Sequence, residues 1–369
     1  MTADAVTLFL CGDVMLGRGV DQILPRPGNP ALREAYIRDA RAYVELAEAA
    51  NGPVPQPVEP AWPWGDALPV LDQAGPDVRV VNLETSVTGD GEFAAGKEVH
   101  YRMHPENLPS LAAARPDVCV LANNHVLDFG RRGLEDTLDA LAGAGLRTAG
   151  AGRGAEEAWR PAIVDLGTRR VVVVAFGMES SGIPPGWAAT EDRPGVAFVP
   201  EAAHEAAESI TRRVREAGRP GDVVVASVHW GSNWGYAVGR DQVRFAHALI
   251  DGGVDVVHGH SSHHPRPLEL YRGGLVLYGC GDFIDDYEGI TGYEHFRDDL
   301  RPLYLVTVEP GSARPPAVRI VPMQARRMRL HHASREDGEW LRETLDRVSR
   351  GFGARVGLDP GGALVVSSR

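Results

Sequence analysis

Apolar residues in this chain gather into short continuous runs, at residues 6–10, 78–81, 118–121, 171–176, 223–228, 254–257 and 275–278. Runs of four to six residues rich in Val and Leu and bounded by turn residues predict strands buried on both faces. Residues 303–308 and 318–322 read as closing strands. Between the runs the period changes. Leu134, Leu138 and Leu141 share one face of a helix starting near Arg132, and helices are predicted over residues 238–249 and 339–348, with a short one at 155–159. Strand and helix in alternation predict an α/β fold, a mostly parallel or mixed sheet system with helices outside.

Residues 24–66 break the pattern with eight prolines around one helical stretch, expected over residues 31–50, where Tyr36, Ala40, Tyr43, Val44 and Ala47 recur at three-to-four spacing. This reads as a cap inserted after the first strand of a domain spanning residues 1–325. The basic, partly helical stretch 326–369 reads as a C-terminal helical appendage.

The strand ends hold the chemistry. Cys11-Gly12-Asp13, Asn82-Leu83-Glu84, Asn123-Asn124-His125, His229-Trp230-Gly231 and the segment from Gly259 to His264 each follow an apolar run. A strand ending in a carboxylate, amide or imidazole delivers that group to one edge of a sheet, where several can converge on a metal ion. Each also has a plainer reading. Asp13 and Glu84 suit turn caps, Asn123 and Asn124 an Asn-rich turn, and a single histidine such as His229 a hydrogen-bonded core position. Four imidazoles within seven positions, His258, His260, His263 and His264, favour metal binding by at least two, with His258 and His264 as structural members. His125 is placed to protonate a leaving group, with Asp128 three residues on to hold its tautomer.

A net charge of -12 and scattered arginines exclude a general nucleic-acid surface. Cys11, Cys119 and Cys280 lie in or beside apolar runs, as packing residues or, for Cys11 and Cys280, as thiolate ligands. The first residues carry no basic or long apolar leader, and no run approaches the roughly 18 apolar residues of a span, so a cytoplasmic protein without a membrane span is expected. Gly150 to Gly154 reads as a turn, and no nucleophile elbow is present.

In chain order these motifs resemble the metal-site order of calcineurin-like metallophosphoesterases. The stretches from Gly12 to Arg18, Val81 to Glu84, Leu121 to Gly130, and His258 to Pro265 with Tyr278 to Phe283 are similar to the CapA family of bacterial capsule and poly-γ-glutamate synthesis proteins. The resemblance implies a four-layer α-β-β-α sandwich of the metallophosphatase kind and a dinuclear site. Asp13 and His263 would bind one metal, Asn124, His229 and His260 the other, with Glu84 bridging and His125 as general acid. Such a site uses one or two divalent ions, Mn, Fe, Zn or Mg, to turn water into a hydroxide that attacks phosphorus or carbonyl carbon. The pattern departs at Met15, where the superfamily places a histidine, and Asp282 and His264 are candidate substitutes.

The function expected is a metal-dependent hydrolase acting on a small phosphoester or γ-glutamyl-type amide, with Arg18, Arg102 and Arg266 as charge-matched candidates for an anionic substrate. Two alternatives stand beside it: a non-catalytic accessory component of capsule synthesis that binds a polyanion, and an amide-processing enzyme of secondary metabolism.

Overall fold

The computed structural model describes residues 5–312 and 314–368. Two large sheets face each other. In the first, the parallel strands Val6–Val14, Val78–Leu83, Val118–Val120 and Arg147–Ala149 continue through antiparallel Leu300–Val308 and Ala317–Ala325 into a terminal hairpin, Ala354–Leu358 and Leu364–Ser368. In the second, Arg170–Met178, Val223–His229, Val256–His260 and Gly274–Leu277 run parallel, with Leu268–Tyr271 antiparallel at one edge.

The apolar runs are continuous because both faces of these strands are covered. Val6, Leu8 and Leu10 point between the sheets, against Val171, Val173, Val223 and Val225. Phe9 and Cys11, one residue out of phase, point the other way, onto Leu71 of the helix Ala67–Ala74 and Leu134 and Leu141 of Gly130–Gly143. On the second sheet Val172, Val174 and Phe176 meet Ile210 and Val214 of His204–Ala217 and Phe245 and Leu249 of Arg240–Asp251. Cys11, Cys119 and Cys280 are buried free thiols inside these layers, and burial pushes all three thiol pKa values up. Among the described residues, no helix is long and apolar enough to cross a membrane.

Two stretches differ from the sequence expectation. The cap helix covers only Arg41–Asn51. Residues 30–40 instead close a small loop through Leu32 N–H to Arg38 O and Ala40 N–H to Pro30 O, leaving Tyr36 at 99% exposure. The loop form turns Glu34 inward to Arg18 and Tyr43, a charge pairing that helical spacing cannot reveal. The tail also does more than append a helix. Leu341 and Leu345 of Arg335–Ser349, with Ala354, Val356 and Leu364 of the hairpin, belong to the core between the sheets. The hairpin went unread because its strands are short and Gly357, Gly361 and Gly362 dilute their apolar pattern.

One glycine is required by close approach. A Cβ on Gly12 would lie 1.5 Å from the Gly281 carbonyl oxygen, and backbone cannot yield as a side chain does. Gly12→Ala is therefore expected to destabilise the protein by about 3 kcal/mol or more. Urea unfolding checks this; a loss under about 1 kcal/mol would show that the two segments part easily.

Candidate metal centre

Register builds the site. Asp13 pairs in parallel with Asn82 on one side and Asp282 on the other, and His229 pairs with His260 on neighbouring strands of the second sheet. An irregularity between Leu10 and Asp13 shifts the register and re-aims the Asp13 carboxylate. Asp13 Oδ1 accepts from Asn82 Nδ2 at 2.7 Å and Oδ2 from the Ser261 amide at 3.1 Å. Ser261 holds a φ of +99° to present that amide, a strained backbone conformation for a residue with a Cβ.

Two donor groups result, each with its ligand atoms within 4.8 Å of one another: Asp13, His229 and His260, and Asp13, His263 and Asp282. Asp13 belongs to both. Glu84 belongs to neither, but its Oε1 stands 3.7 Å from His229 Nε2 and 3.8 Å from His125 Nε2. Asn124 Oδ1 lies 3.1 Å from His229 Nε2. His229 Nδ1 and His260 Nδ1 are 2.8 Å apart, so one of the two nitrogens there is free of a proton. Ser227 Oγ holds the far nitrogen of His260 at 2.9 Å, as a supporting partner orients a metal-binding imidazole.

Electrostatics match the donors. Burial first, then the Asp282 carboxylate, push Asp13 up to about 7. Glu84 is raised by burial and by Asp13. Burial keeps His229 and His260 neutral, the form that binds metals. Burial works against charge on His263 too, but Asp282, 3.0 Å away, outweighs it and raises the imidazole. Arg301 Nη1 stands 3.2 Å from Asp282 Oδ2 without the alignment of a hydrogen bond, so that oxygen has no hydrogen-bond partner. Crowded buried acids beside neutral imidazoles are a donor set that fits divalent ions of borderline hardness.

Beside this lies a dyad. Asp128 Oδ2 is 2.6 Å from His125 Nδ1, which turns His125 Nε2 toward Glu84. Burial lowers His125 to about 4, partly opposed by Asp128. Sequence reasoning missed a third member, Lys97, whose ammonium bonds Asp128 Oδ1 and the Asn124 carbonyl and lies 2.9 Å from His125 Nδ1. A signal was present: Lys97 is the only lysine in a chain of 37 arginines.

The arginines fall differently from expectation. Arg18 is buried between the carboxylates of Asp286 and Glu34 and under the Tyr43 and Tyr101 rings, so it braces the cap. Arg266 is buried on the carbonyls of Ser232 and Ala237 and holds that loop. Arg102 bonds Asn29 O and lies over Phe129. Pairing within the fold engages the Arg18 and Arg266 guanidinium groups, while Arg102 is half-buried with a single exposed bond. His258 ties the sheets together, between Ser227 Oγ and Cys11 O, and His264 accepts the Gly235 amide and stacks on Phe296, both in structural roles. Met15 is buried, and Asp282 lies in one donor group with Asp13 and His263. A groove of about 1010 Å³ lies elsewhere, between Val70, Gln73 and the tail, and contains none of these side chains.

The sequence profile of a family described as bacterial capsule synthesis protein PGA_cap matches residues 7–287. A probable polyglutamine synthesis accessory protein of Mycobacterium tuberculosis is 56% identical over 365 residues, 98% of this chain and 96% of that protein. The PGA biosynthesis protein CapA of Bacillus subtilis is 28% identical over 297 residues, 80% of this chain and 66% of that one. A solved structure, TT1561 of Thermus thermophilus, covers 84% of this chain and 100% of its own at 10% identity, with a TM-score of 0.36.

Proposed function

This chain belongs to the bacterial capsule synthesis family PGA_cap, and from that footing we propose that it is a metal-dependent hydrolase with an accessory role in poly-γ-glutamate or capsule synthesis. Its substrate is a small phosphoester or a γ-glutamyl-type amide. We read the facing sheets and outer helices as the four-layer α-β-β-α sandwich of metallophosphoesterases. The observation that carries the reading is the pair of donor groups sharing Asp13, with the His125–Asp128 dyad beside Glu84.

In this reading Asp13, His263 and Asp282 would hold one divalent ion and His229, His260 and Asn124 a second, with Glu84 beside them. The ions supply Lewis acidity and a nucleophile at neutral pH. His125 would serve the leaving group through Nε2, which has a proton to give only in the doubly protonated ring, a form that burial opposes and that Asp128, holding Nδ1–H, favours. Burial of these groups, all but the half-buried Asn124, keeps bulk water from most of the constellation and strengthens their interactions.

The second reading, a non-catalytic component that binds a polyanion, draws on the word accessory in the name of the mycobacterial relative. Against it stand the net charge of -12 and the engagement of Arg18 and Arg266 within the fold. The test is elemental analysis of the purified chain, then turnover of phosphoesters and γ-glutamyl peptides after loading with Mn, Fe, Zn or Mg. Metal-dependent turnover that disappears in Asn124→Ala and His229→Ala is expected. Full activity in either variant would remove the mechanism, and polymer binding without turnover would favour the second reading.

A further inference from the structure

Wherever else this chain needs a basic side chain it uses arginine, 37 times, and its one lysine is Lys97. Lys97 lies in an irregular segment, residues 88–101, that wraps the end of the dyad loop. Three of that segment's bonds go to one residue, Asp128. Ala94 N–H donates to Asp128 O at 2.8 Å, Tyr101 N–H to Asp128 Oδ2 at 2.6 Å, and the Lys97 ammonium to Asp128 Oδ1. The same ammonium donates to the main-chain carbonyl of Asn124 and faces His125 Nδ1. On its open side it stands 5.4 Å from the Trp187 ring, with a side-chain exposure of only 18%.

We propose that Lys97 is a positioning residue: one buried nitrogen fixes both the backbone of Asn124 and the carboxylate that orients His125, a task arginine cannot take over. The inference rests on the hydrolase reading for its kinetic consequence, but its geometry is independent of any substrate. An ammonium carries three donors around one atom and can meet acceptors converging from three directions. A guanidinium presents its donors as a flat, wider fork, suited to a single carboxylate. Here two acceptors from one loop, the Asn124 carbonyl and Asp128 Oδ1, converge on a single nitrogen packed 2.9 Å from His125 Nδ1, so a wider fork in the same space must release one of them or push the ring aside. What moves is then the Asn124 amide, the His125 ring, or both.

The test uses the full chain with Lys97→Arg, Lys97→Met and Lys97→Cys. In Lys97→Arg and Lys97→Met, kcat on any substrate turned over by the parent is expected to fall about 10- to 100-fold with KM within about twofold, the usual effect of losing a support behind a metal site. Calorimetric titration with Mn²⁺ or Zn²⁺ alone should show the weaker-bound ion losing about tenfold in affinity. Treating native Lys97→Cys with bromoethylamine rebuilds a lysine-like ammonium; Cys11, Cys119 and Cys280 are buried and remain unmodified. Recovery to within about threefold of the parent is expected.

A readout free of turnover is the downfield proton resonance of His125 Nδ1–H on Asp128, assigned by its absence in His125→Gln and expected to be lost in Lys97→Arg. Lys97→Arg with parental kcat, metal affinity and proton resonance would overturn the proposal. So would a variant that lowers thermal stability alone, the mark of mere loop anchoring, or aminoethylated Lys97→Cys that folds without recovering. If the parent itself binds no metal and turns over nothing, the hydrolase reading falls. The proton resonance then still decides for or against Lys97.

Discussion

Asp13→Asn is expected to lower bound metal below about 0.2 ions per chain and to reduce kcat/KM by about a thousandfold or more. The reason is position: Asp13 is the one side chain common to both donor groups, so its loss opens both at once. The replacement keeps the shape and the Gly12 backbone contact and gives up one of the two bonds that Asp13 accepts from Asn82 and Ser261, so the variant should fold. Its metal-free form should be more stable than the metal-free parent. In the parent, burial and Asp282 push Asp13 up to about 7, above its unfolded value of 3.8. The native state therefore binds this proton more tightly than the unfolded chain does, and its contribution is most favourable below about pH 4 and is lost as pH rises to 7. Melting of the metal-free parent should accordingly drop by roughly 5 °C between pH 4 and 7 from this group, with the dependence absent in Asp13→Asn and suppressed by saturating metal. Stoichiometric metal in Asp13→Asn, measured by elemental analysis, would show that the two groups do not share a ligand.

His125→Gln is the second large effect, with kcat lower by about 10² to 10⁴ and metal content unchanged. A general acid matters only where the leaving group needs a proton, so the loss should shrink to about tenfold on an activated nitrophenyl ester. Asp128→Asn should fall between the parent and His125→Gln, since it leaves the imidazole but frees its tautomer and takes a partner from Lys97. Equal losses on activated and unactivated substrates would assign His125 to metal support instead of proton transfer.

The elements were legible where period alone decides. Runs such as 171–176 and 223–228 appear as strands Arg170–Met178 and Val223–His229, because sheets covered on both faces need uninterrupted apolar residues. Elements whose burial depends on distant partners were not. The helix His204–Ala217 buries only Ala207, Ile210, Thr211 and Val214 along a charged sequence, and the tail hairpin is defined by pairing with Ala317–Ala325. At the site, Asp13, Glu84, Asn124, His229, His260 and His263 could be named because each sits at a strand end or just beyond one. Lys97 could not, since it lies in a segment without helix or strand, and only its rarity in composition marked it.

By itself the sequence determined which side chains reach one edge of the sheets, because a strand's length and a following turn fix where its last residue emerges. It also determined that His125 and Asp128 would be close, being three residues apart. The tertiary structure alone decided that Asp13 is shared by two donor groups, that Asp282 joins Asp13 and His263 in one of them, and that Arg18 and Arg266 are engaged within the fold. Those outcomes depend on partners about 20 to 270 residues apart, and so on strand register and one bulge, which no local period encodes.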